Sequence, residues 1–222
     1  DHPMKVSSIG GRFGWNDGGD TPNMCISQFD WGGVPVLFET RNLWVNRELN
    51  NAPNFKGSRV GVIVTCEDGE FRGGRGGGIV YDNRGKKMKA FKGDGGFDHF
   101  PAFIRAINSR KESDVAAHLE SSYKSSCLAH LGNISYLQGK EVSEKAMSKV
   151  AAKDEVLKEA YDRYDAQLGD WNIDLSKELW REGTQLEFDP KSEKFVGGKG
   201  FKQANGRLKR TYRKEFEVPV KV

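Results

Sequence analysis

A loop near the start of the chain combines residue types that bind hydroxyl-rich ligands. Residues 14–23 (GWNDGGDTPN) are rich in glycine, aspartate and asparagine, which predicts a long, turn-rich loop. With the arginine just before it, the loop offers one cation, one aromatic stacking face and several hydrogen-bonding groups. That set suits a sugar or polyol. The candidate substrate-binding residues are Arg12, Trp15, Asp17, Asp20 and Asn23.

A surface loop without a ligand has the same composition. Aspartate and asparagine side chains stabilise turns by accepting hydrogen bonds from nearby backbone N–H groups. Long loops, in contrast, often carry binding residues. The sequence leaves both interpretations open for this loop.

His130 is a further candidate substrate-binding residue. It lies in a helical pattern, with Tyr123 seven residues before it and Asn133 three residues after it, so all three share one side of the helix. A polar trio of this kind suits the wall of a cleft. The alternative is a buried histidine with its hydrogen bonds satisfied by the protein.

The other patterns that carry chemistry are incomplete. The glycine run at 73–78 (GGRGGG) precedes the strand-like IVYD, whereas a phosphate-binding loop needs a helix there, and no Gly-Lys-Ser/Thr ending is present. Cys25, Cys66 and Cys127 are scattered, without a C-x-x-C pair. The sequence therefore predicts no nucleotide loop, zinc site or disulfide framework, and no catalytic residue.

Charge and hydropathy limit the partners. The formal charge of the 222 residues is +4, from 35 basic and 31 acidic side chains. Nine of the basic ones lie between Lys191 and Lys214, opposed only by Glu193. This cluster fits a nucleic-acid surface, but without an accompanying motif we favour a solvated edge strand. Nucleic acid is therefore not an expected partner. No apolar run approaches the ~20 residues of a membrane span, so a membrane is not an expected partner either.

The pattern before residue 97 is that of strands joined by tight turns. Gly-Gly at residues 32–33 and Asp-Gly at residues 68–69 each predict the turn of a β-hairpin. Predicted strands cover residues 5–13, 24–31, 34–43, 59–67, 70–72, 79–82 and 87–92.

Helices follow the strands. Asp98 is a good N-cap for a first helix, a second helix ends near Gly139, and a long charged helix covers 143–168. The apolar stripes of the first two helices comprise Phe100, Phe103, Ile104 and Ile107, then Leu119, Tyr123, Cys127, Leu131 and Ile134. An irregular tail holds short strand candidates at 186–189, 194–196 and 212–218.

The order of elements predicts an α+β fold with an open, mainly antiparallel β-sheet and helices packed on one face. We expect a single domain over residues 1–222, with strands in 1–96, helices in 97–168 and the tail in 169–222. Residues 34–43 and 59–67 carry apolar side chains on both faces of their strands. The uncovered face then predicts a homo-oligomer, or cover by the tail or an N-terminal segment within the chain.

Several segments in order resemble the C-terminal half of the Gfo/Idh/MocA oxidoreductases, the family of glucose–fructose oxidoreductase and inositol dehydrogenase. The match spans essentially the whole chain. The segments are 10–15 (GGRFGW), 20–23 (DTPN), 38–41 (FETR), 130–136 (HLGNISY) and 186–190 (LEFDP), followed by the end of the chain at 212–219.

The resemblance implies a two-domain enzyme whose N-terminal Rossmann domain binds NAD or NADP and supplies a lysine acid/base. An aspartate and a histidine on the linking helix would complete that catalytic site. The chain begins at Asp1, which the resemblance places just after that helix, so we expect these groups upstream. His2 precedes a proline at the entry to the first strand and does not correspond to the catalytic histidine.

The function implied is that of the substrate-binding and oligomerising portion of an NAD(P)-dependent sugar or polyol dehydrogenase. Alone it should bind no cofactor and catalyse nothing. A stand-alone β-rich carbohydrate-binding or scaffold module is the alternative. The cellular location, cytoplasmic or exported to the periplasm, does not follow from the sequence.

Overall fold

A computed structural model describes residues 2–217, and its fold is α+β with antiparallel sheets. The predicted class, an open and mainly antiparallel sheet combined with helices, is confirmed. The strands are β1 (Lys5–Gly11), β2 (Met24–Asp30), β3 (Val36–Arg41), β4 (Val62–Cys66), β5 (Gly69–Gly74), β6 (Gly77–Asp82), β7 (Lys87–Lys92), β8 (Lys140–Val142), β9 (Trp180–Glu182), β10 (Leu186–Asp189) and β11 (Lys194–Gly198). The α-helices are α1 (His99–Ser109), α2 (Leu119–Leu137), α3 (Glu144–Ala151), α4 (Glu155–Asp170) and α5 (Phe201–Gly206).

The chain divides into two compact units. Unit 1 contains the residues up to Leu49 and those from Lys124 onward, and unit 2 contains Asn50–Tyr123. The boundary near residue 124 falls inside α2. The assignment of residues 1–222 to one domain stays a prediction.

Unit 1 is built on a seven-stranded sheet. The strand order is β11-β10-β1-β2-β3, with β9 pairing β1 beyond β10 and β8 pairing β9. β1 and β2 pair along their whole length, from Lys5 opposite Asp30 to Gly11 opposite Met24. The loop between them therefore emerges at one end of the sheet.

Both faces of this sheet bury apolar side chains. Cross-strand partners share a face, and Ile9 pairs with Ile26 while Val6 pairs with Phe29. Because Val6 and Ile9 are an odd number of residues apart, the two pairs point to opposite faces. The Ile9 face belongs to a core cluster with residues of α3 and α4, and the Val6 face to a cluster with residues of α2 and α5. Helices therefore cover both faces of this sheet, not the single face that the sequence predicted.

The tail contributes to both clusters, as one of the two sequence interpretations expected. Trp171, Ile173 and Leu175 pack against the first cluster, and Phe188 and Phe195 belong to the second. On the edge strand β3, Val36 and Phe38 remain 41% and 53% exposed.

The helix predicted over 143–168 is two helices. α3 ends at Ala151 and α4 begins at Glu155. Asp154 is extended, and its carboxylate accepts a hydrogen bond from the N–H of Leu157 at 2.7 Å, so it acts as an N-cap for a new helix. The sequence did not reveal the break between α3 and α4, because the apolar residues keep helical spacing across it.

Unit 2 is a four-stranded meander, β4-β5-β6-β7, followed by α1. The glycine run lies in β5 and β6 and in the turn between them, where Gly74 pairs with Gly77. Strand, rather than helix, follows the run, as the sequence predicted.

The apolar stripe of α1 was predicted to pack on a sheet face, and this expectation is wrong within unit 2. Phe100, Phe103 and Ile104 are 77%, 63% and 55% exposed, and Ala102 is the buried residue of the helix. Helical periodicity identifies an apolar stripe but does not identify its partner.

The strand predicted over 212–218 is also wrong where it is described. Lys214–Phe216 forms a turn of 3₁₀-helix, and the residues from 218 onward lie outside the described part. Among residues 2–217, no helix has the length and apolarity that a membrane crossing requires.

Candidate functional site

An open cleft of about 420 Å³ lies in unit 1. The loop after β1 contributes Arg12, Gly19 and Asp20 to its wall, and the end of α2 contributes Tyr136. The paired strands β8 and β9 contribute Glu141 and Arg181, and the segment before β9 supplies Lys177, Glu178 and Leu179. The structure thus brings the predicted Arg12 and Asp20 into a cleft.

Arg12 orders the loop that follows it. Its guanidinium donates to Asp17 Oδ1 from Nε at 2.9 Å, to both carboxylate oxygens of Asp17 from Nη2 at 2.5 Å, and to the Thr21 carbonyl at 2.9 Å. The Arg12 hydrogen bonds, followed by one from the Gly19 N–H, lower the pKa of Asp17 below its ordinary value. A Cβ on Gly19 would lie 2.5 Å from the guanidinium carbon, so a larger residue there would require the Arg12 side chain to shift.

Trp15 and Asp17 therefore take supporting positions. The Arg12 guanidinium lies 5.7 Å from the centre of the Trp15 ring, which is 42% exposed. Asp17 is held by Arg12, and neither it nor Trp15 lines the cleft. The loop combines the two interpretations of its sequence. Some of its polar groups form hydrogen bonds within the loop, whereas Asp20 faces the cleft, where a ligand could bind.

Asn23 closes the base of the loop. Its amide accepts from the N–H of Phe13 and donates to the carbonyl of the same residue, both at 2.9 Å. Asn23 is 3% exposed and Phe13 is fully buried. Asn23 was expected to bind substrate, but its amide instead fixes the backbone of Phe13, just after the end of β1, in the core.

His130 is exposed on α2 and does not line the cleft. Asn133, one turn later, has a buried Oδ1 without a hydrogen-bond partner among residues 2–217. Tyr136, a further three residues along, is the α2 side chain that reaches the cleft with a polar group. Tyr136 lies three residues after Asn133, at the same helical spacing that identified His130 and Asn133. The sequence analysis did not extend that pattern to Tyr136.

Tyr136 and Arg181 form the wall opposite the loop. The Arg181 guanidinium lies 5.4 Å from the Tyr136 ring centre and donates to Glu141 Oε1 at 3.0 Å. Glu141 and Arg181 are direct partners in the β8–β9 ladder. The pKa of the Tyr136 hydroxyl is raised above its ordinary value, mainly by burial. The hydroxyl is therefore protonated at neutral pH and can donate a hydrogen bond.

The remaining wall residues are held by their neighbours. Glu178 Oε2 accepts a hydrogen bond from the Gly14 N–H, which ties the segment before β9 to the loop. Lys177 pairs with Asp174 at 3.0 Å. Hydrogen bonds from Ser176 and then Lys177 lower the pKa of Asp174 to about 2. Asp20 makes no hydrogen bond or ion pair with any described residue.

The cleft can bind, by hydrogen bonds, a ligand with several hydroxyl groups. Carboxylates accept from hydroxyls, guanidinium and phenol groups donate to them, and the Tyr136 ring offers an apolar face. Among residues 2–217, no group of three or more His, Cys, Asp and Glu side chains is arranged to hold a metal ion.

The basic segment at 191–214 is largely exposed. It runs through β11 and α5, and none of the seven Lys and Arg side chains from Lys199 to Lys214 is in an ion pair within the described part of the chain. Tyr212 and Phe216, at its end, are 45% and 60% exposed. The segment remains solvated, as an exposed edge would be.

Comparison of the chain with protein-family models, with curated proteins and with solved structures finds no match.

Proposed function

We propose that the chain is the substrate-binding and oligomerising portion of an NAD(P)-dependent sugar or polyol dehydrogenase. The observation that carries the proposal is the cleft, in which the predicted Arg12 and Asp20 meet Tyr136, Glu141 and Arg181. This wall combines hydrogen-bond donors and acceptors around one aromatic ring, as polyol recognition requires. The order of segments that resembles the C-terminal half of the Gfo/Idh/MocA oxidoreductases supports the reaction class.

In this proposal the catalytic groups belong to an upstream domain. The nicotinamide that such a domain holds would exchange a hydride with a carbinol carbon of the substrate, and its lysine would take up or return the hydroxyl proton. The residues of this chain bind and orient the polyol. The chain alone should therefore bind a polyol without turning it over.

Binding to the isolated chain tests the proposal. Calorimetry against a panel of monosaccharides, inositols and linear polyols should give a saturable heat for one stereochemical class, and NAD and NADP should give none. Tyr136→Phe should weaken the polyol affinity about fivefold, because one donated hydrogen bond contributes about 1 kcal/mol. Affinity for NAD in the micromolar range, or no polyol binding at all, would contradict the proposal.

The oligomer is the second half of the proposal. Val36 and Phe38 in the edge strand β3 are 41% and 53% exposed, and Val34 just before the strand is 79% exposed. Contact with another copy would bury these side chains. Sedimentation should show an oligomer that Phe38→Lys dissociates, whereas Leu49→Lys, at a residue exposed to a similar degree, should not. A monomeric wild-type chain would exclude self-association.

A stand-alone carbohydrate-binding or scaffold module is the second candidate function. It is favoured by two exposed tryptophans, Trp15 at 42% and Trp44 at 46%, since such rings stack on sugars. The sequence encoded upstream of Asp1 discriminates the two functions. A strand, G-x-G-x-x-G and a helix would support the dehydrogenase, and a start methionine with a signal peptide would support the module.

A further inference from the structure

The cations of the cleft are all neutralised by neighbouring carboxylates. Arg12 is paired with Asp17 at 2.5 Å, Arg181 with Glu141 at 3.0 Å, and Lys177 with Asp174 at 3.0 Å. Arg181 and Glu141 both line the cleft, whereas Asp17 and Asp174 pair with lining cations without lining the cleft themselves. An anionic ligand would have to displace a carboxylate from one of these cations in order to be neutralised itself.

Two further carboxylates line the cleft without a cation. Asp20 is exposed and makes no ion pair within residues 2–217. Glu178 accepts the Gly14 N–H, a neutral donor. The lining holds three cations and three carboxylates, but Arg12 and Lys177 are paired with Asp17 and Asp174 from outside the lining, so Asp20 and Glu178 keep negative charges that no lining cation neutralises.

We propose that the cleft selects polyols by charge: it binds amino sugars or amino polyols best, neutral ones less tightly, and phosphorylated or carboxylated ones least. The inference rests on the proposed function, because it specifies the ligand class of the same cleft. An ammonium group gains a carboxylate that has no other cation, whereas placing a phosphate beside like charge is unfavourable.

Asp20 is the carboxylate that contributes most to this selection. Of the two carboxylates without a cation, it is the one that makes no hydrogen bond with any of residues 2–217, so an ammonium group can approach it without breaking a contact there. For the same reason, Asp20→Asn removes the charge while leaving every described hydrogen bond of the loop in place. The matched control is Asp68→Asn, the same chemical change in the exposed hairpin turn of unit 2.

Matched ligand sets test the proposal by calorimetry on the chain. One set is glucosamine, glucose and glucose 6-phosphate, and the other is an inosamine, myo-inositol and an inositol phosphate. In the set that binds, the amino member should bind about tenfold more tightly than the neutral one, and the phosphate at least about tenfold more weakly. Both differences should shrink in about 0.5 M salt, where the Debye length is only a few ångström. Asp20→Asn should reduce the preference for the amino member several-fold, and Asp68→Asn should leave it unchanged.

The outcomes separate the inference from the proposed function. Equal affinity for the three charge forms, or tighter binding of the phosphate, would overturn the charge selection and leave polyol binding in place. An undiminished preference in Asp20→Asn would also overturn the inference, provided that the thermal midpoint matches that of the wild type. Failure of every member of both sets to bind would overturn the proposed function together with the inference.

Discussion

The side-chain amide of Asn205 pairs with both backbone groups of Phe195. The N–H of Phe195 donates to Asn205 Oδ1 and the amide nitrogen donates to the Phe195 carbonyl, each at 2.8 Å. The amide thereby takes the place of a neighbouring strand at the edge of β11. Asn23 forms the same pair with Phe13, also ten residues apart, where β1 ends. Both phenylalanines are core residues, so each amide anchors a strand end in a core cluster.

Asn205→Ala should lower the free energy of unfolding by about 2 kcal/mol, because two hydrogen bonds are lost and partly buried backbone groups are left unpaired. Urea denaturation followed by tryptophan fluorescence measures this. Gln203→Ala, at an exposed residue of the same helix, should change the stability by less than about 0.5 kcal/mol. Equal effects of the two substitutions would refute the role of the amide.

Glycine at 132 allows α2 to approach the sheet closely. A Cβ there would lie 2.5 Å from Ser27 Oγ, and the Gly132 carbonyl accepts a hydrogen bond from Ser8 at 2.9 Å. We expect Gly132→Ala to destabilise the protein by about 1–3 kcal/mol through overpacking. Gly169→Ala in α4 meets no atom within 4 Å and should stabilise by up to about 1 kcal/mol, through helix propensity. Thermal unfolding midpoints should move in opposite directions, and a shift of the same sign in both would contradict this account.

Tyr164 links α4 to two strands. Its hydroxyl donates to the carbonyls of Cys25 and Thr40, at 3.0 Å and 3.1 Å, from a fully buried position. Tyr164→Phe keeps the ring and leaves the carbonyls without this donor, so the free energy of unfolding should fall by about 1–2 kcal/mol. Tyr212→Phe at an exposed position is the control. A neutral effect of the Tyr164 substitution in chemical denaturation would mean that other donors satisfy these carbonyls.

Alkaline pH should destabilise the fold through two buried groups. Burial raises the pKa of the Cys25 thiol from 9.0 to about 11 and that of Tyr164 well above 10.0. The folded state therefore keeps protons that the unfolded chain releases. The stability they contribute is present below the unfolded pKa values and is lost as the pH rises from about 9 through 11. Thermal midpoints measured over this range should fall, less steeply for Tyr164→Phe, and a flat profile would refute the prediction.

Local patterns predicted the strands of the first half well. Both predicted hairpins form, because alternating side chains and turn residues are set by neighbours in sequence. The one at 68–69 has a tight turn, with Cys66 opposite Gly69, whereas the one at 32–33 has a longer loop between Phe29 and Val36 in place of the predicted tight turn. The same reasoning failed at Asp154, where an N-cap interrupts a continuous apolar pattern, and on α1, whose stripe lacks a partner within its unit.

The sequence by itself determined the antiparallel α+β class and a polar loop containing Arg12 and Asp20, since composition and turn chemistry act over a few residues. Only the tertiary structure decided which of those loop groups face a cleft and which bond to one another. Glu141 and Arg181 are 40 residues apart and meet through two strands of three residues each, too short to show a period. Their pairing, and the Tyr136 ring beneath it, follow from long-range packing, which no local pattern records.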